Sequence, residues 1–332
     1  AERVAADIIA GVNRPFALPG RDVLPGVSIG LAEFGRHHGG AAEAMKNADL
    51  ALYSAKAGRR GSAQAFHPDM ARAQETRLLL LAGLSAALRE EQFEVVFQPV
   101  LALHSRRIVG MEALLRWWHP EHGLVMPGTF IPLAEEAGLI DDIGLWVLRR
   151  ACAEAADWPD HVLLAVNLSA RQLDRPGIVG QIMTVLAETG LPATRLELEI
   201  TETALMRDGD AVKGALDAMR AAGMRIALDD FGTGYASLSY LRRFTFDRLK
   251  IDRSFVGDML DHPESRIIVR DLARMAANLG MATTAEGLET EAMARLSQAL
   301  GCTEGQGYHF ARPLGAADAR ARLAADAFPA RA

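Results

Sequence analysis

From about residue 92 to residue 325 the chain repeats one rhythm. A short apolar run ends on polar residues, and a stretch with helical spacing follows. The runs are "FEVVFQPVLAL", "RIVGMEALLRW", "HVLLAVNLSA", "RLELEITETAL", "RIALDDFGTG", "FDRLKIDRSF", "MATTAEGLET" and "GQGYHFARPL". Between many of them lie helical patterns such as "FIPLAEEAGLIDDIGLWVLRRACAEAADW", "GIVGQIMTVLAETG" and "ESRIIVRDLARMAANLG". Runs this short, alternating with helices, predict a parallel α/β barrel of the (β/α)8 kind. A chain of 332 residues, half of them hydrophobic, is long enough for such a barrel and an appendage.

In a parallel barrel the chemistry sits where strands end and loops begin. The residues at those places are Gln98, Glu112, Asn167, Glu199 and Glu202, the pair Asp229–Asp230, Lys250, Glu286 and Gln306. Each alone reads as an ordinary surface, cap or turn residue. Their common placement at one end of the barrel does not. Carboxylates crowded into one mouth repel and hold protons unless a cation keeps them ionised. The donors are oxygen only, with no Cys or paired His, so the expected ion is a hard one, Mg2+ or Mn2+. Asp229 is expected to bridge two ions and Asp230 to reach the second, the geometry that clamps a phosphodiester. Lys250 and Glu286 then stand near the attacking water. Glu202 is three residues beyond Glu199, so it does not share that residue's side of a strand and suits holding the loop after Asp230. In that loop, "DDFGTGYASL", Gly232 and Gly234 permit tight turns.

Composition narrows the partner. With 42 acidic against 36 basic residues the chain lacks the broad basic face that a long nucleic acid requires, whereas a small phosphorylated ligand is compatible with a bound cation. Cys152 and Cys302 are far apart without ligand spacing and read as core residues of a reducing compartment. No apolar run has the length of a bilayer span, so the expected location is cytoplasmic, with membrane attachment of a longer protein left open through an upstream region.

At these residues the sequence resembles the EAL domain family, bacterial phosphodiesterases of cyclic di-GMP. Glu112-Ala113-Leu114 spells the family's name, and "FQPV", "MPGTFIPLAEE", "VNLSARQL", "LEITET", "DDFGTGYASLSYL", "LKIDRSFV", "AEGLET" and "GQGYHFARPL" follow in order. The resemblance implies a TIM-like barrel in which one strand runs against the others. It implies two metal ions, Mg2+ or Mn2+. Glu112, Asn167, Glu199 and Asp229 would hold the first, and Asp229, Asp230 and Glu286 the second. It further implies Lys250 and Glu286 beside the hydrolytic water, with Glu202 completing the catalytic set by steadying the loop. Arg116 would hold a substrate phosphate, and Gln98 and Gln306 would contact a guanine or its surroundings. The implied product is linear pGpG and the implied assembly a homodimer, through the face near the "DDFGTGYASL" loop. The alternative within this resemblance is a catalytically inactive module that binds cyclic di-GMP as a receptor; such modules typically lose ligands or the loop, and here both are kept. Thr303 stands where the family usually has Asp, and Phe97 where Tyr is frequent, departures that bear on packing or rate.

Residues 1–68 form a separate block. "VLPGVSIGLAEF" reads as a strand, and "AAEAMKNADLALYSAKAGRRG" as a helix with apolar positions at Met45, Ala48, Leu52 and Ala55, closed by Gly58. "VSIGLA", "ADLALYSAK" and "GRRG" resemble the C-terminal part of a GGDEF diguanylate cyclase domain. The family's signature hairpin is missing, since Gly39-Gly40 is followed by Ala-Ala, and Lys56 reads as a surface helix residue despite matching a triphosphate-contacting position. The expected organisation is a partial α/β segment over 1–68, a linker helix over 69–91 and the barrel over 92–325, with a sensor or complete GGDEF region possible upstream.

Overall fold

The computed structural model describes residues 1–18, 21–34, 40–58, 61–205, 209–232 and 238–327. They form two compact units, Ala1–Gly83 and Leu84–Ala332. Gly234, Gly39 and the Arg59-Arg60 pair lie outside the described residues.

In the first unit, strands Ile29–Leu31 and Ala63–Ala65 pair in parallel, and helix Ala41–Ala57 connects them. Helix Glu2–Val12 and a hairpin of Phe16–Leu18 with Arg21–Val23 precede them. The buried side of helix Ala41–Ala57 carries Asn47, Ala51 and Ala55, whereas Met45 is exposed. The expected stripe was therefore turned too far toward Met45. Spacing alone does not fix which of two overlapping small-residue stripes is packed when alanines populate both. Helix Pro68–Ala87, free of internal proline, runs across the division between the units.

The second unit is built on a closed barrel. Its strands are β1 (Phe93–Ala102), β2 (Ile108–His119), β3 (Gly123–Val125), β4 (Leu163–Asn167), β5 (Leu196–Thr201), β6 (Arg225–Phe231), β7 (Arg248–Ile251), β8 (Ala282–Ala285) and β9 (Glu304–Gly305). The hydrogen-bonded order is β1-β9-β8-β7-β6-β5-β4-β2-β3, and pairing of β1 with β2 closes eight strands into a ring that leaves β3 as an extra strand on β2. β1 runs antiparallel to both its neighbours, and the other ring pairs are parallel. The fully parallel barrel read from periodicity is thus corrected, and the one reversed strand implied by the resemblance is present. The physical reason is the short link between β1 and β2: a few residues close a hairpin but cannot carry a parallel crossover.

The long segment 130–158 is two helices, Pro127–Glu136 and Ile140–Ala155, because Gly138 takes the left-handed conformation between them (φ +72°). Their apolar sides cover β1 and β2. Trp117 of β2 is fully buried there, its ring 5.8 Å from Phe93 and 5.6 Å from Phe130, with its indole N–H donated to Gln92 at 3.0 Å. Trp117→Ala is expected to cost about 3–5 kcal/mol of barrel stability, read by denaturant unfolding, since it leaves both a cavity and an orphaned amide oxygen.

Both departures from the family pattern have packing explanations. Phe97 is buried and meets Trp158 edge to face at 5.1 Å, a contact that needs no hydroxyl. Thr303 clasps Thr283: its Oγ1 accepts from the Thr283 amide at 2.9 Å, its hydroxyl donates to the Thr283 carbonyl at 2.9 Å, and its own amide donates to Thr283 Oγ1 at 3.0 Å. Among the described residues no helix is long and apolar enough to cross a membrane. Cys152 and Cys302 are both buried and free.

Candidate active site

Alternation along the strands decides which side chains enter the barrel mouth. Glu199 on β5 is level with Ala227 on β6 and Asn167 on β4, Glu112 on β2 is level with Gln98 on β1, and Lys250 on β7 is level with Thr284 on β8. Glu286 and Gln306 follow one step beyond β8 and β9. Glu112 and Gln98 lie in the middle of their strands rather than at the ends; β1 and β2 are long enough to continue past the mouth.

Two consecutive carboxylates should point to opposite sides of a strand. On β6 they do not, because the pairing with β7 slips between Leu228 and Phe231: three steps on β6 face two on β7. Asp230 absorbs the extra residue in the left-handed conformation, φ +54°, which a non-glycine residue rarely adopts. Its amide donates to Asp229 Oδ1 at 3.0 Å. The bulge brings Asp229, Asp230 and Glu286 together, with one oxygen of each within 4.8 Å of the others.

Lys250 stands in the centre, buried to about 2% exposure. Its Nζ lies 2.8 Å from Glu199 Oε2, 2.8 Å from Glu286 Oε1, 3.2 Å from Asp229 Oδ1 and 3.6 Å from Glu112 Oε2. Glu112 also accepts from Asn167 Nδ2 at 2.8 Å and from Gln306 Nε2 at 2.6 Å, and Gln306 Nε2 reaches Gln98 Oε1 at 3.1 Å. Gln98 in turn donates to the Ala311 carbonyl. The Oε1 of Gln306 is buried without a hydrogen-bond partner among the described residues.

One ammonium does not balance five carboxyl groups in a buried mouth. Burial, then the neighbouring Asp229 and Glu112 charges, push Glu286 up to about 8 even though Lys250 opposes the shift. Burial and Asp229 push Asp230 up to about 6. Burial also pushes Glu112 up, but Lys250 and the hydrogen bonds from Gln306 and Asn167 outweigh it and hold that carboxyl below its usual value. Glu199 goes the other way, raised well above the ordinary range by burial and by Glu112, so the two carboxyls titrate as a pair. Burial alone would lower Lys250, yet the surrounding carboxylates raise it well above its ordinary value. Crowded oxygen donors, with Glu199, Asp230 and Glu286 pushed up, are a set that a hard divalent cation fits.

Glu202 opens the helix Glu202–Leu205 directly after β5 and is buried. Its Oε1 accepts from the Gly232 amide at 2.7 Å, the contact that anchors the chain leaving β6. Gly232 has φ +98°, and a Cβ there would meet the Phe255 ring at 2.8 Å. Arg116 lies on β2 two steps outward of Leu114 and donates to the Leu115 carbonyl; burial lowers its pKa while Tyr308 and Glu112 raise it.

The mouth opens into a cleft of about 280 Å³ lined by Gln98, Glu112, Asp229, Lys250, Glu286 and Gln306. Arg253, Glu289 and Tyr308 also line it and were missed by the sequence reading. Each sits two or three residues past a named strand-end residue, so extending the search into the following loop would have found them. A more apolar cavity of about 560 Å³ is lined by Asn167, Leu114, Pro127, Ile131 and Thr201.

The sequence model of the EAL domain family matches residues 82–313. The cyclic di-GMP phosphodiesterase NbdA of Pseudomonas aeruginosa is 39% identical over 91% of this chain and 39% of its own length. The bifunctional diguanylate cyclase/cyclic di-GMP phosphodiesterase MucR of the same organism is 38% identical over 98% of this chain and 48% of its own. The chain therefore spans less than half the length of these curated relatives. Among solved structures, the c-di-GMP complex of the PaMucR phosphodiesterase is 41% identical, covers 73% of this chain and 99% of that one, and has a TM-score of 0.70. The cAMP and cyclic-di-GMP bound form of the EAL enzyme Bd1971 is 31% identical, covers 76% and 70%, and has a TM-score of 0.73.

Proposed function

The chain belongs to the EAL domain family, and from that premise we propose that it hydrolyses cyclic di-GMP to linear pGpG with two divalent cations, Mg2+ or Mn2+, in the barrel mouth. The observation that carries this reading is the convergence of Asp229, Asp230 and Glu286 beside the Lys250 ammonium. Glu112, Asn167, Glu199 and Asp229 would hold one cation, and Asp229, Asp230 and Glu286 the other. Bound there, the cations supply charge stabilisation on the phosphodiester and a water acidic enough to attack it.

The protein's own groups do the rest. Arg116 pairs with a substrate phosphate, and its partial burial strengthens that pairing. Gln98 and Gln306, which line the cleft, would present their carboxamides to a guanine or its surroundings. Glu286 takes the proton of the attacking water, and Lys250, 2.8 Å away, offsets the charge that grows on the phosphoryl oxygens as the new P–O bond forms and the bond to the ribose oxygen breaks, that oxygen leaving as a hydroxyl with a proton from solvent. Glu202 fixes the chain after Asp230 through Gly232.

Incubation of the protein with cyclic di-GMP and Mn2+, followed by chromatography, tests the activity: pGpG is the expected product. Ligand recovered intact but bound would favour the receptor alternative.

The raised carboxyl groups give a second test. Glu286 and Asp230 are pushed up, so in the metal-free protein the stability they contribute is complete below pH 4 and is lost as pH rises through about 6 for Asp230 and about 8 for Glu286. A cation binds the deprotonated forms and reverses that loss. The rise in Tm on adding Mn2+ is therefore expected to be larger at pH 8 than at pH 5.5; an equal rise would contradict the ligand set.

We read the N-terminal unit as the C-terminal part of a GGDEF domain, a reading supported by the match to the bifunctional diguanylate cyclase/cyclic di-GMP phosphodiesterase MucR across nearly the whole chain. A homodimer, resting on the family resemblance, and a cytoplasmic setting, resting on the lack of a bilayer-length apolar run and on the two unpaired cysteines, complete the reading. The loop implied as the dimer face includes residues 233–237, which lie outside the described ones; sedimentation of the protein tests the assembly.

A further inference from the structure

Beneath the mouth lies a second layer of charge. The alternation that points Glu199 and Lys250 inward also points Glu197 and Arg248 inward, one step deeper, and Glu304 joins them from below Gln306. Arg248 Nε donates to Glu197 Oε1 at 2.7 Å, and its NH1 donates to Thr284 Oγ1 at 3.0 Å and pairs with Glu304 Oε2. Thr284 Oγ1 donates to the same Glu304 oxygen at 3.3 Å. Arg248 and Glu197 are almost fully buried, and Glu197 Oε2 has no hydrogen-bond partner among the described residues.

An ion group this deep is weak support for stability, because desolvation offsets much of its attraction. Its position gives it another effect. Lys250 is the next inward residue on the same strand, with a flexible four-carbon stem, and two carboxylates lie one step below it. We propose that Arg248 is a positioning residue: by bridging Glu197 and Glu304 and offsetting one of their two charges it leaves the Lys250 ammonium to the mouth, where it serves the reaction. This rests on the phosphodiesterase reading for the reaction served, but the charge balance stands on the contacts above. The planar guanidinium bridges both carboxylates at once, whereas an uncompensated pair would draw Lys250 downward.

The layer therefore has opposite effects on metal binding and on turnover. Arg248→Met should lower kcat at least tenfold and leave KM within about threefold, because Lys250 no longer stands at the reacting phosphate. The same variant should bind Mn2+ at least threefold more tightly, measured by calorimetry or electron paramagnetic resonance on the metal alone, because a competing cation has left the carboxylates. General damage to the barrel would weaken both. The variant Arg248→Met/Glu197→Gln/Glu304→Gln, in which the whole layer is neutral, should return Mn2+ affinity and kcat to within threefold of the wild type. Arg248→Lys, which keeps the charge, should hold kcat within the same limit, so these two variants decide the matter even if Arg248→Met does not fold. Unchanged or weaker Mn2+ binding in folded Arg248→Met, or a tenfold loss of kcat in the neutral or lysine variant, would overturn the proposal. Wild-type protein that binds Mn2+ without turning over cyclic di-GMP would count against the proposed activity alone, since the Mn2+ affinities still decide the role of Arg248.

Discussion

Asp229→Ala is expected to remove turnover of cyclic di-GMP, by on the order of 10³-fold or more, with Glu112→Ala close behind. Asp229 is the only residue assigned to both cation sites, and it also sits 3.2 Å from Lys250 and accepts the amide of Asp230. Its loss would open the bulge at the point where two carboxylates are made to share a side. Glu112 is held by Asn167 and Gln306, and these bonds together with Lys250 outweigh burial and keep its carboxyl below the usual value, so its removal takes away a ligand that stays ionised. Steady-state kinetics at saturating Mn2+ check both, with thermal unfolding as the control for folding. Near-normal kcat in either variant would disprove the ligand assignment.

Glu286→Gln is expected to separate binding from chemistry. The substitution keeps the shape and the hydrogen bond toward Lys250 while removing the group proposed to take the proton of the attacking water. General-base removal costs about 10²–10⁴-fold in kcat. Binding of cyclic di-GMP should fall much less, because Arg116, Gln98 and Gln306 are untouched. Without metal, the variant should also lose the upper part of the pH dependence of stability, since the carboxyl pushed up to about 8 is gone. Calorimetric titration with cyclic di-GMP and the pH profile of thermal unfolding without metal check these expectations. Equal losses of binding and turnover would return Glu286 to a purely structural place.

Much of this site was legible in the sequence, for a physical reason. Parallel strands end where catalytic loops begin, so a polar residue closing an apolar run marks the mouth, and Lys250, Glu199 and Asp229 were found that way. Lys250 is buried among carboxylates, as a lysine closing "DRL" suggests only once its neighbours are known. The bulge was not legible: "LDDF" reads the same in a regular strand, and only the slip against β7 turns Asp230 to the side of Asp229. The lower charge layer was visible in principle, because "LELE" and "RLK" space their charged residues two apart, yet the search stopped at strand ends. Reversal of β1 and the exposure of Met45 depend on loop length and on which of two similar faces meets a partner, which periodicity does not encode.

The central claim is that the carboxylates of the mouth gather around a pair of divalent cations. Anomalous diffraction from crystals of the protein grown with Mn2+ tests it most directly. Two peaks flanking the Asp229 carboxylate, one toward Glu112 and Glu199 and the other toward Asp230 and Glu286, are the predicted result. Crystals saturated with Mn2+ that show no peak within reach of Asp229 would contradict it.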